Sequence, residues 1–205
     1  MPTYYEQFGK KLKRAIAKYK VARSGMENLF YESEYSIFNE LESGITQYQP
    51  RYYQVNAMYA LDYLLSCPHS QPEKESIIEV IDEEITCPFY GFEMATGSGK
   101  TMLMGSFIYL LNKKYGLNNF LIITPASTDI YQKTIRNFEK KGYESIWNEG
   151  TPFDYNLITG DNYNSTIFYD PEKEVNIFIF NIPKFGKNAT NTIKRWVASV
   201  WKDND

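Results

Sequence analysis

The stretch from Glu93 to Thr101, Glu-Met-Ala-Thr-Gly-Ser-Gly-Lys-Thr, constrains the fold of this chain more than any other. Residues 89–92 before it are apolar, and residues 102–111 after it have the apolar pattern of a helix. A strand that leads into a helix through a glycine-rich turn is the setting of a phosphate-binding loop. Gly97 and Gly99 allow backbone conformations that direct successive N–H groups into one concavity, where an anion fits.

Each residue at the end of this loop has a predicted role. A helix that begins near Lys100 adds its positive N-terminal end to the anion site. Lys100 is predicted to reach the outer phosphates of a nucleotide, and the Thr101 hydroxyl is placed to bind Mg²⁺. The strict motif has glycine where this chain has Met94, but the turn does not depend on that position. The predicted phosphate-binding residues are Thr96, Gly97, Ser98, Gly99, Lys100 and Thr101. The alternative is a structural turn that binds nothing.

The composition fits one globular domain with an N-terminal appendage, in a chain of 205 residues with 43% hydrophobic and 23% charged residues. A net charge of −3 argues against a generally basic nucleic-acid-binding protein, so any such contact would come from local patches. No long apolar run or signal core is present, and we expect a cytoplasmic protein that does not enter a membrane. Cys67, His69 and Cys87 lack a fourth ligand for a zinc site.

The first 46 residues are predicted to be a helical segment, followed by one domain over residues 47–205. Residues 4–23 have the pattern of a basic amphipathic helix, and residues 26–41 that of a weaker one. The basic face is typical of a solvated helix; the alternative is a contact with the DNA backbone or with a partner.

Residues 47–65 are predicted to contain an amphipathic helix that Pro50 opens. Arg51 and Gln54 lie near its start. A glutamine in such a place could recognise adenine, accepting a hydrogen bond from the amino group and donating one to N7. Residues 66–86 are predicted to be an acidic loop with a short helix.

Strands and helices alternate after the phosphate loop. Strands are predicted at 120–124, 155–160 and 175–181, the first of them buried, because these are short apolar runs bounded by turn residues. Ser127 is predicted to cap a helix, and a last helix is predicted at 190–201. This alternation predicts an α/β fold with a parallel sheet flanked by helices and with a ligand at the carboxyl ends of the strands.

Three stretches together resemble the opening motifs of superfamily 2 helicases and translocases. They are Arg-x-Tyr-Gln at 51–54, Met-Ala-Thr-Gly-Ser-Gly-Lys-Thr at 94–101 and Leu-Ile-Ile-Thr-Pro at 121–125. Within that group the sequence is most similar to the restriction (Res) subunit of type III restriction enzymes, over about residues 47–182.

The resemblance implies a RecA-like motor domain that binds ATP and Mg²⁺ and moves along duplex DNA together with a second motor domain. It assigns adenine to Gln54 with Arg51, and the phosphates and Mg²⁺ to residues 97–101. Thr124, Pro125, Ala126 and Ser127 are expected to lie along the nucleic-acid backbone. Thr159-Gly160 and residues 181–185 match later backbone-contacting motifs more weakly. A nuclease domain and a modification methyltransferase subunit are further partners that the resemblance implies.

The sequence departs from the family where the hydrolytic carboxylates should be. The family has an Asp-Glu-x-His-type motif at the end of a later strand, for Mg²⁺ and the attacking water. None follows Lys100, and residues 175–180 lead into Asn181-Ile-Pro. We therefore expect an N-terminal fragment that lacks the C-terminal motor and nuclease domains and binds ATP without turnover. The alternatives are a non-catalytic nucleotide- or DNA-binding module derived from a helicase domain, and a small P-loop kinase.

Overall fold

A computed structural model describes residues 45–66, 90–148, 153–163, 170 and 172–185, together with isolated residues between 10 and 41. The acidic loop predicted at 66–86, the helix predicted at 190–201 and the three candidate zinc ligands lie outside the described residues, apart from Ser66. In the N-terminal segment, the described residues Lys10, Lys13, Arg14 and Ala17 are helical and exposed.

The described elements alternate between helix and strand. In chain order they are α1 (Tyr52–Ser66), α2 (Lys100–Tyr115), β1 (Asn119–Thr124), α3 (Thr128–Phe138), β2 (Tyr155–Thr159), β3 (Val175–Asn181) and a 3₁₀ turn (Ile182–Phe185). Among the described residues between 47 and 181, the structure thus confirms the predicted helices and strands, with one exception. No helix in the described part is long and apolar enough to cross a bilayer.

The exception is the strand predicted before the phosphate loop. Residues 90–95 have no strand conformation in the structure, and the chain passes directly from them into the glycine turn. A strand requires backbone pairing with a neighbouring strand, and the described sheet contains only β1, β2 and β3. The apolar run alone was therefore not sufficient to predict a strand.

The chain divides into two compact units. The first contains Met1–Glu42 and Pro50–Leu103, and the second contains Ser43–Gln49 and Met104–Asp205. Helix α1 and the phosphate loop belong to the first unit, whereas the sheet and α3 belong to the second. The boundary predicted after residue 46 stays a prediction.

The sheet of the second unit is parallel, with strand order β1-β3-β2 in the described part. The central strand β3 is covered on both faces, since Ile177 and Phe178, which point to opposite sides, are each 0% exposed. Helix α3 packs against β1 and β3. The prediction of a buried strand at 120–124 is wrong in part: β1 lies at one edge of the described sheet, and Ile123 is 54% exposed.

Aromatic side chains form much of the core of the second unit. The indole of Trp147 packs edge-on against Phe138 and Phe153, with ring centroids 6.1 and 5.6 Å apart. Phe153 also contacts Tyr155, whose ring lies 5.8 Å away. Gly105 of α2 allows a close approach to this cluster, because a Cβ at that position would clash with the Ile146 side chain. The resulting α/β unit holds the carboxyl ends of β1, β2 and β3 at one edge of the sheet.

Candidate functional site

The phosphate loop has the backbone that its glycines predict. Gly97 has a φ of 77° and Gly99 a φ of 81°, in the left-handed region that side chains with a Cβ rarely adopt. Helix α2 begins directly afterwards, and the N–H of Leu103 donates to the carbonyl of Gly99 at 3.0 Å. The loop therefore ends at the positive end of a 16-residue helix, where an anion is stabilised.

The carbonyl oxygen of Ala95 is the main hydrogen-bond acceptor within the turn. It accepts hydrogen bonds from the N–H of Ser98 at 3.2 Å and from the Ser98 hydroxyl at 2.6 Å. The ammonium group of Lys100 donates to the same oxygen at 2.8 Å. Because Lys100 is exposed, its side chain can exchange this carbonyl for a phosphate oxygen without unfolding the loop.

Gln54 of α1 contacts the loop directly. Its side-chain oxygen accepts from the N–H of Arg51 at 2.7 Å, and its amide nitrogen donates to the carbonyls of Ser98 at 3.3 Å and Gly99 at 3.1 Å. The side chain is only 1% exposed. The structure thus brings Gln54, Arg51 and the loop together, with the Gln54 amide against the loop backbone.

Tyr53 is a contact that the sequence analysis missed. Its hydroxyl donates to the carbonyl of Ser98 at 2.9 Å and accepts from the Arg51 guanidinium at 3.3 Å. By its spacing Tyr53 fits the apolar side of the amphipathic helix predicted at 47–65, where its phenol ring suits packing. The sequence did contain an indication of this contact. Tyr53 is next to Gln54 in the first turn of the helix, so its hydroxyl is a second polar group near the helix start.

The described residues provide oxygen donors for Mg²⁺ but no metal cage. No group of three or more His, Cys, Asp or Glu side chains is positioned to hold a metal in the part of the chain that the structure covers. Thr101 lies half-buried in the first turn of α2. A hydroxyl together with the phosphate oxygens of a nucleotide is a donor set that fits Mg²⁺, which binds oxygen and retains several waters.

The segment predicted to lie along nucleic acid is at the carboxyl end of β1. Thr124 is buried, and its hydroxyl has no hydrogen-bond partner among the described residues. Pro125 and Ala126 are exposed, and exposed Ser127 caps α3 by accepting from the N–H of Ile130 at 3.4 Å. Thr124 pairs in register with Asn181 at the end of β3, where the buried side-chain oxygen of Asn181 also lacks a partner among the described residues.

A polar cluster follows the end of β2. The carboxylate of Asp161 accepts from the Tyr131 hydroxyl at 3.3 Å and lies 3.6 Å from the Lys184 ammonium. The Tyr131 oxygen in turn accepts from the N–H of Gly160 at 2.9 Å. Burial raises the pKa of Tyr131, and the Asp161 charge raises it further. This cluster was outside the reach of sequence reasoning, since its members come from α3, the β2 turn and the 3₁₀ turn.

Comparison with known proteins supports the resemblance in the sequence. The sequence model of the family described as type III restriction enzyme, res subunit, matches residues 47–199 of the chain. Searches of the curated proteins and of the solved structures found no significant match.

Proposed function

Because the chain belongs to the family of type III restriction enzyme Res subunits, a helicase-like P-loop family, we propose that its phosphate loop binds ATP. The observation that supports this proposal most is the loop itself, in which two left-handed glycines precede Lys100 at the start of a long helix. In this role the chain is the ATP-binding part of a DNA helicase or translocase of a restriction system.

Each residue of the loop has a distinct task in this proposal. The backbone N–H groups of residues 97–101 bind the phosphates. Lys100 moves from the Ala95 carbonyl to a phosphate oxygen, and Thr101 holds Mg²⁺ together with the nucleotide. When bound, Mg²⁺ neutralises part of the triphosphate charge. Recognition of adenine by Gln54 with Arg51 stays a prediction.

Binding, and not turnover, is what the described residues support. Strand β3 ends in Asn181, and an amide cannot accept a proton from an attacking water. A non-catalytic nucleotide- or DNA-binding module is therefore the second candidate function, and the position of Asn181 is the observation that favours it.

We also propose that the carboxyl ends of β1 and β3 contact the backbone of duplex DNA. Residues 125–130 form a continuous exposed segment after β1, and Ser127 begins α3 there. Lys184 follows β3 and supplies a positive charge that is partly exposed. Contacts of this kind are made to phosphates, so they carry affinity without sequence specificity. A methyltransferase partner, which the family implies, and a cytoplasmic location, which the sequence leads us to expect, are further proposals.

ATP binding can be tested through its effect on stability. A ligand that binds only the folded protein stabilises it by about 2.7 kcal/mol at a concentration of a hundred times its Kd. We expect Mg·ATP to raise the thermal unfolding midpoint of the wild-type chain and of Lys113→Ala, in which a lysine at the far end of α2 is removed. The midpoint of Lys100→Ala should not respond. An equal rise in Lys100→Ala would contradict the proposed function.

A further inference from the structure

Lys184, the positive charge of the proposed DNA contact, is engaged within the protein. Its ammonium group lies 3.6 Å from a carboxylate oxygen of Asp161 and donates to the carbonyl of Gly160 at 3.4 Å. The stem of the side chain is close to the same turn, because a Cβ on Gly160 would lie 3.0 Å from the Lys184 Cε. The turn that follows β2 thus holds the Lys184 side chain when no ligand is bound.

The Asp161 carboxylate is fixed independently of Lys184. Its other oxygen accepts from the Tyr131 hydroxyl at 3.3 Å and lies 3.5 Å from the side-chain nitrogen of Gln132, both on α3. The N–H of Asp161 donates to the Thr159 hydroxyl at 3.3 Å. These contacts do not involve Lys184, so Asp161 keeps hydrogen-bond partners when the ion pair opens.

The ion pair can open without unfolding the chain. The side chains of Lys184 and Asp161 are 38% and 57% exposed, so water replaces each partner when the two separate. An exposed ion pair is weak, because water screens it and two side chains lose freedom in forming it. A phosphate oxygen makes a strong charge-assisted hydrogen bond with an ammonium group, and it therefore competes with the carboxylate for Lys184.

We propose that the ion pair between Asp161 and Lys184 is an autoinhibitory contact. It keeps the Lys184 ammonium from phosphate until the backbone of duplex DNA displaces the carboxylate, and Asp161 thereby lowers the DNA affinity of the strand ends. This inference rests on the proposed function, namely that the ends of β1 and β3 contact DNA. It also predicts a dependence that simple repulsion does not: loss of the Asp161 charge raises affinity only while Lys184 is present.

The test is a titration of a short DNA duplex into single and double variants. Asp161→Asn removes the charge but retains the size of the side chain and an oxygen that accepts from Tyr131. Asp129→Asn is the matched control, because Asp129 is exposed in the first turn of α3 and its replacement changes the net charge equally. Each substitution is made in the wild type and in Lys184→Gln, which removes the ammonium group.

The comparison of the two backgrounds decides how Asp161 acts. At low salt, Asp161→Asn is expected to bind DNA about twofold to fivefold more tightly than Asp129→Asn, as the small free energy of an exposed ion pair implies. In the Lys184→Gln background the two substitutions should give equal affinity. The same gain in both backgrounds would show that Asp161 repels phosphate directly, and the inference would be wrong. Equal or weaker binding by Asp161→Asn in the wild type would also overturn it.

A second measurement needs no DNA and so separates this inference from the proposed function. Mass spectrometry follows the acylation of each lysine amine by a soluble reagent, with exposed Lys113 as the internal reference. Acylation of Lys184 is expected to be faster in Asp161→Asn than in Asp129→Asn, because the carboxylate no longer holds the ammonium group. Equal rates would overturn the autoinhibitory contact even if DNA binds. Faster acylation in a chain that binds no DNA in any variant would support the pairing and refute the proposed DNA contact.

Discussion

The side-chain amide of Asn156 on β2 donates to the side-chain oxygen of Asn176 on β3 at 2.9 Å. Asn176 in turn donates to the side-chain oxygen of Asn119 on β1 at 2.9 Å, so one row of amides crosses the three described strands. The three residues are also partners in the strand register. A shift of one residue would turn every side chain to the opposite face, and this row therefore favours a single register.

Replacing the central member of the row should destabilise the second unit. Asn176→Leu removes the acceptor for one N–H of the buried Asn156 amide, which keeps its bonds to Asp170, and it removes the donor for the half-buried Asn119. We expect a loss of about 1–3 kcal/mol in the free energy of unfolding, measured by urea titration. Lys141→Ala, at an exposed position after α3, is the control and should change it by less than about 0.5 kcal/mol. An Asn176→Leu protein as stable as the control would show that the row contributes little.

Tyr155 links two groups of the aromatic core. Its hydroxyl donates to the carbonyl of Phe138 and accepts from the indole N–H of Trp147, the latter at 3.1 Å. Tyr155→Phe keeps the ring but leaves both partners unsatisfied, and a loss of about 1–3 kcal/mol in unfolding free energy is expected. Tyr143→Phe is a matched control, since Tyr143 is 96% exposed. Equal stability of the two variants in denaturant would refute the role of the Tyr155 hydroxyl.

The same tyrosine should make stability depend on alkaline pH. Burial raises the pKa of Tyr155 well above its ordinary value, whereas in the unfolded chain the phenol ionises near pH 10. Above that pH the unfolded state binds fewer protons, so the contribution of Tyr155 is fully present below pH 10 and declines as the pH rises. Between pH 8 and 10.5 the wild type should lose about 1 kcal/mol more than Tyr155→Phe. Parallel declines in denaturant titrations would argue against a protonated, buried phenol.

DNA affinity, if the strand ends contact the backbone, should fall steeply with salt. Each phosphate contact adds about 0.9 to the slope of log affinity against log salt concentration for duplex DNA. Lys184→Ala is expected to weaken binding to all sequences alike and to reduce that slope by about 1. Lys113→Ala, which lies outside the proposed contact, should leave the slope unchanged. Affinity that does not respond to salt would show that the contacts are not to phosphates.

Local patterns in the sequence predicted much of the fold. The helices that begin at Tyr52 and Lys100, and the cap that Ser127 provides to α3, follow from apolar spacing and from residues adjacent in the chain. Strand β3 is predicted because its seven residues include five apolar ones, which suits a central parallel strand. These patterns involve residues close in the sequence, so they can be recognised without knowing the tertiary contacts of the chain.

The sequence could not show which groups meet across the fold. The exposure of Ile123 depends on the edge position of β1, which is set by strand order and not by the apolar run itself. Whether residues 90–95 form a strand likewise depends on pairing with a neighbouring strand, which the local sequence does not encode. In the candidate site the sequence placed Gln54 near the loop but not against its carbonyls, because that contact joins residues about 45 positions apart.

The central claim is that the loop around Lys100 binds a nucleotide, and a calorimetric titration of Mg·ATP tests it most directly. The wild type and Lys113→Ala should give saturable heat with similar affinity, whereas Lys100→Ala should give none. Both variants remove one lysine from α2, so they change the net charge equally. A difference in ATP binding between them therefore reports the position of the lysine in the phosphate loop. Absence of heat in the wild type, or the same heat in Lys100→Ala, would contradict the claim.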